Sequence, residues 1–113
     1  MLGFFISTLD PVRILEGYPI GANGDRAFCS ACRRELRAGH VATVTAYRFV
    51  ETNQWDVSEV RCSICAPTHI EDPTPGAVEV LASGALKMGQ PFGGESGRLH
   101  LTNIDIIGFE DAE

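Results

Sequence analysis

The stretch RAFCSACRRELRAGHVATVTAYRFVETNQWDVSEVRCSICAP, residues 26–67, decides how the chain folds. It holds all four cysteines, in two short pairs, Cys29-Ser30-Ala31-Cys32 and Cys62-Ser63-Ile64-Cys65. Two C-x2-C units are how a chain presents four thiolates to one tetrahedral metal ion, each pair folding as a tight knuckle. Between the pairs, Val41 to Val50 is dense in β-branched and aromatic residues and poor in helix formers, which predicts a strand. Glu51-Thr52-Asn53-Gln54 reads as a turn. Trp55 to Arg61 reads as the returning strand, alternating Trp55, Val57 and Glu59 against Asp56, Ser58 and Val60. Cys32 lies shortly before the outgoing strand and Cys62 directly after the returning one, so antiparallel pairing brings the second knuckle back to the first. Spacing and strands agree. The predicted site is one Zn2+ held by Cys29, Cys32, Cys62 and Cys65. Four thiolates complete zinc's shell and leave no position for water or substrate, so the site is expected to be structural.

Outside this stretch the pattern stays β-like. Residues 2–9, rich in Phe, Ile and Leu, read as a first strand or a core-docking segment. Val12 to Leu15 offers a second short apolar stretch, and Gly17, Pro19, Gly21, Asn23 and Gly24 make a loop up to Arg26. After Cys65, Pro67, Pro73, Pro75 and Gly76 predict a loop. Residues 77–88 carry two periodicities: Val78, Leu81, Ala82, Ala85 and Leu86 share a helical face, while Val78, Val80, Ala82, Leu86 and Met88 alternate. Gly84 weakens a helix interior by about 1 kcal/mol relative to alanine, which favours a strand. Residues 90–97 form a glycine-rich hairpin connection lacking the G-x4-G-K-[ST] frame of a phosphate cradle. Leu99 to Phe109 gives a last strand whose apolar phase shifts near Asn103, as a bulge causes, and Glu110 to Glu113 is an exposed acidic end.

At 113 residues the chain is expected to be a single domain, 1–113, with a metal module at 26–67 inside it. Hydrophobic residues are 44% and charged residues 21%, which excludes a disordered chain. In a domain this small a structural metal is a strong staple, binding with roughly 10–16 kcal/mol in zinc-finger peptides. The net charge is -6, which argues against general attraction to nucleic acid. The first ten residues lack a basic leader region and reach Asp10 and Pro11 early, so neither export signal nor membrane span is expected. A reducing cytoplasm follows as the expected setting, where paired C-x2-C units bind metal rather than form disulfides.

Arg26, Arg33, Arg34 and Arg37 crowd the first knuckle and, less Glu35, give residues 26–40 a local charge of +3. They are the candidate phosphate contacts, with Tyr47 or Trp55 available to stack on a base. Pairing with the acidic remainder or simple solvation is the competing reading. His40, His69 and His100 are not needed by a complete sulfur shell. His69-Ile70-Glu71 formally matches the H-x-E of zinc deaminases but follows the cysteines instead of preceding them. The neighbouring carboxylates Glu71 and Asp72 lie in a Pro-rich loop where solvation accounts for them. No Ser, His and Asp constellation suggests nucleophilic catalysis, so no enzyme is expected.

The knuckle, hairpin, knuckle order over Phe28 to Pro67 resembles the zinc-ribbon class, which implies the four cysteines as ligands and names no reaction. Acidity with Lys87 as the single lysine, beside eight arginines, makes the whole similar to small haloarchaeal zinc-finger proteins of unassigned function. The C-x2-C-x29-C-x2-C spacing also resembles rubredoxins, which implies one iron. Rubredoxin knuckles carry glycine where Arg33 and Ala66 stand here, and proline where Ser63 stands. The fold expected is mainly β: a zinc-ribbon hairpin packed on further antiparallel strands. The function expected is a non-catalytic, zinc-stabilised adaptor meeting a protein partner, with a nucleic-acid-binding regulator and a one-iron electron carrier as alternatives.

Overall fold

A computed structural model describes residues 11–16, 18–20, 26–52, 54–70, 72–89 and 98–110. A short helix, α1 (Pro11–Glu16), starts at a proline, whose fixed φ suits a first helical turn. The apolar stretch at Val12 to Leu15 falls on it, and Leu15 is buried. Two-residue strands β1 (Ala27–Phe28) and β2 (Glu35–Leu36) pair antiparallel around the first knuckle. The main sheet has four strands, β3 (Val41–Phe49), β4 (Asp56–Cys62), β5 (Ala77–Gly89) and β6 (Arg98–Glu110). Their order is β4-β3-β5-β6, all antiparallel.

The hairpin β3–β4 and the strand at 77–88 are as the sequence predicts. The further strands join the hairpin edge-on, because β5 pairs with β3 along its whole length from Val41↔Ala85 to Phe49↔Ala77. The connection from β4, described at 63–70 and 72–76, therefore crosses over β3 to reach β5. The strand expected at 2–9 and the glycine-rich loop at 90–97 lie outside the described residues.

One face of the sheet is the core. Ala42, Val44 and Ala46 of β3, Val78, Val80, Ala82 and Leu86 of β5, and Leu99 and Leu101 of β6 pack there with Leu15, Ile20, Ala27, Cys29 and Leu36. β4 contributes Val57, Val60, Cys62 and the preceding Trp55 to the same face, although these positions break simple alternation. A bulge is the reason. Thr45 pairs with Glu59 and Ala46 with Val57, so Ser58 is left over and the phase of the strand inverts across it. β6 carries the expected bulge: its register shifts opposite Ser83 and Ala85, and Asn103 takes a left-handed φ of 53°. A second shift lies opposite Leu81 and Ala82.

The opposite face is covered by the crossover. Pro67, His69, Ile70 and Thr74 line a cleft of about 280 Å³ against Thr45, Ser58, Glu59, Arg61, Glu79 and Leu81. Glu79 is buried on this face, and its carboxylate accepts hydrogen bonds from the Thr74 N–H at 3.1 Å and the Thr74 hydroxyl at 2.7 Å, stitching the crossover to β5.

Candidate metal centre

β3 and β4 deliver the second knuckle to the first. Ala42 pairs with Cys62 at the end of the hairpin, so Cys62 is the last residue of β4 and Cys65 sits one tight turn beyond, its N–H donating to the Cys62 carbonyl at 3.1 Å. The first knuckle is closed by its own backbone. Cys29 N–H donates to the Arg34 carbonyl at 2.8 Å, and Arg33 N–H to the Cys29 carbonyl at 2.9 Å. Cys32 N–H points at Cys29 Sγ at 3.5 Å. This turn requires a left-handed residue after the second cysteine, and Arg33 supplies it at φ 69°. The backbone of a glycine-bearing knuckle is thus reached without glycine.

Ser30 fixes the first knuckle to the sheet. Its N–H donates to the Val60 carbonyl at 2.7 Å, and its Oγ accepts from Val60 N–H at 3.1 Å. This pair satisfies outward backbone groups of β4, which would otherwise be an open edge. Sequence reasoning passed over Ser30, and its only signal was a hydroxyl between two ligands. Arg61 was missed likewise. It pairs with Glu59 at 2.9 Å and donates to the Cys65 carbonyl at 3.5 Å, bracing the second knuckle.

The four Sγ atoms of Cys29, Cys32, Cys62 and Cys65 all lie within 4.8 Å of one another, and Cys32 and Cys62 stand 3.8 Å apart. A tetrahedron with metal–sulfur bonds of about 2.3 Å has edges of about 3.8 Å, so the four thiols fit one metal ion. Cys29 and Cys62 are buried, Cys65 is half-buried and Cys32 is exposed. Among the described residues no histidine or carboxylate joins this cluster, and His40, His69 and His100 lie apart from it. His40 instead accepts the Arg37 N–H at 2.9 Å through Nδ1.

The electrostatics suit a cation. Burial pushes the Cys29 thiol up, but backbone N–H groups of Cys32, Cys62 and Ala31 outweigh it and bring it down to about 6. The Cys65 N–H lowers Cys62 in the same way against burial. Cys65 is pushed up to about 12, first by the hydrogen bonds its own thiol makes to Cys62 and Cys32. The backbone therefore favours the thiolate at Cys29 and eases ionisation of Cys62, while Cys65 keeps its proton, which a metal ion must displace to complete its shell.

The candidate phosphate contacts divide. Arg33 and Arg34 are exposed beside the knuckle, Arg37 pairs with Glu35, and Arg26 is half-buried. The stacking role offered to Trp55 does not hold, because its ring is 5% exposed in the core, with the Arg48 guanidinium 5.8 Å from its centre. Tyr47 is half-buried and meets Phe49 edge-on. No described helix is long and apolar enough to cross a membrane.

No curated protein and no solved structure matches the chain. A family model, that of the domain of unknown function DUF8112, matches residues 6–109, taking in both knuckles and every strand but the last residue of β6. By a match over nearly its whole length, the chain belongs to the DUF8112 family.

Proposed function

We propose that the protein is a non-catalytic interaction module in which one Zn2+ at Cys29, Cys32, Cys62 and Cys65 locks two knuckles onto a β-sheet, leaving an exposed surface to meet a protein partner. The closed sulfur shell carries this reading. Four thiols within 4.8 Å of one another satisfy a tetrahedral ion without an open position, which suits a structural ion and gives a substrate nowhere to bind the metal. Thiolate ligands imply a reducing compartment, and the cytoplasm is the setting that goes with this reading. Acidity with a single lysine fits a salt-rich interior.

Elemental analysis of protein purified without added metal, with its absorption spectrum and a thiol count after chelation, tests the centre. One zinc per chain, no colour and four thiols are expected. Iron with visible charge-transfer bands would replace the reading by one-electron transfer. Arg33 and Arg34, both exposed, favour nucleic-acid binding as a second reading. It requires affinity for RNA or DNA that falls steeply with salt and is lost in Arg33→Ala with Arg34→Ala.

A further inference from the structure

The two knuckles meet at the sulfur cluster and present their turns outward. Ile64, between the second pair of ligands, is 72% exposed, the highest exposure of any large apolar side chain among the described residues. The turn that carries it is closed by the Cys65 N–H donating to the Cys62 carbonyl at 3.1 Å, so an aliphatic side chain held there loses little further freedom on contact. The first knuckle, whose Cys32 Sγ stands 3.8 Å from Cys62 Sγ of the second, runs directly into two exposed cations, Arg33 and Arg34. Among the described residues Arg37 is paired with Glu35 and Arg61 with Glu59, whereas Arg33 and Arg34 enter no ion pair. They stand out on a chain of net charge -6.

Arg33 carries a second signal. Its φ of 69° is a conformation that glycine adopts without strain and a long side chain does not. Strain kept at an exposed turn, where nothing buries the side chain, points to a role for the guanidinium itself.

We propose that Arg33, Arg34 and Ile64 at the tip of the two knuckles form a docking site for an acidic protein segment that carries a bulky apolar side chain. The inference rests on the interaction-module reading and names the partner's chemistry. Carboxylates meet the two guanidiniums, which take them in bidentate fashion, and the apolar side chain covers Ile64. A protein segment suits this tip better than a nucleic acid. The most exposed apolar group, Ile64, is aliphatic, and two arginines on a chain of net charge -6 offer little to a polyanionic backbone.

The test is selection of a displayed library of random peptides, roughly twelve residues long, on the zinc-loaded full chain. Bound peptides are expected to share acidic residues flanking one bulky apolar residue. Arg33→Gly with Arg34→Ala, and separately Ile64→Ser, should weaken a selected peptide by about tenfold or more. Glycine keeps the left-handed turn, so the first variant stays folded. A basic or neutral consensus, no enrichment, or binding indifferent to both variants would overturn the proposal. A single-stranded RNA probe provides the other arm: RNA bound through the same arginines, with no peptide selected, removes both this inference and the interaction-module reading. Peptides that bind both variants unchanged leave that reading standing and remove this one alone.

Discussion

Arg33 sits where the knuckle turn needs a left-handed backbone, and an L side chain there costs about 1–2 kcal/mol that glycine does not. Arg33→Gly should therefore raise stability, by about 1 kcal/mol in denaturant unfolding of the zinc-loaded protein, with the slope unchanged. A loss of stability would mean that the guanidinium braces the fold. The cysteines make a contrasting case. Cys29 is fully buried and lies in both the sulfur cluster and the hydrophobic core. Cys29→Ser is expected to cost several kcal/mol and to release the metal, read as zinc freed to a chromophoric chelator. Protons and metal compete for the same sulfurs. Cys65, pushed up to about 12, must lose its proton on binding, and Cys29, at about 6, becomes a neutral thiol only in acid. Zinc affinity should rise with pH and fall steeply below about pH 6, and a flat profile in the chelator competition would exclude an all-thiolate site.

Among the elements, β5 is the strand on which the sheet depends, since it pairs with β3 on one side and β6 on the other. Gly84 at its middle faces the bulge of β6. A Cβ there would stand 2.7 Å from the Thr102 carbonyl oxygen, a backbone atom that cannot turn aside. Gly84→Ala is expected to destabilise by about 1–3 kcal/mol, with loss of amide exchange protection concentrated along β5 and β6. Read from sequence, Gly84 only weakens a helix; in the sheet it is the residue that lets the bulged neighbour approach. The bulge at Asn103 was legible because the apolar phase of Leu99 to Phe109 breaks there. The bulge at Ser58 was not, because Trp55, Val57 and Glu59 already read as a regular alternation, with Val60 alone out of phase. Only pairing with β3 shows that Ser58 is the extra residue.

At the scale of the whole molecule, the metal centre and the core are continuous: Cys29, Cys62 and Trp55 belong to one buried cluster. Removing zinc with a strong chelator should therefore shift Trp55 fluorescence to the red and lower the unfolding midpoint, and an unchanged spectrum would show that the core stands without the ion. Salt acts on the same balance. A net charge of -6 opposes compaction, so the unfolding midpoint should rise between low salt and molar KCl as that repulsion is screened. Local spacing, propensity and alternation were enough to read the four cysteines as one cluster, the hairpin between them and the strand at 99–109, and they leaned to a strand at 77–88 without settling it against a helix. The same reading marked Arg26, Arg33, Arg34 and Arg37 as charge out of keeping with the chain. The pairing of β5 with β3, the closing of the β4 edge by Ser30 and the burial of Trp55, offered as a stacking platform, emerge in the folded chain alone. Those outcomes follow from contacts between segments distant in the chain, where the burial of a shared apolar face and the pairing of backbone groups outweigh any local preference.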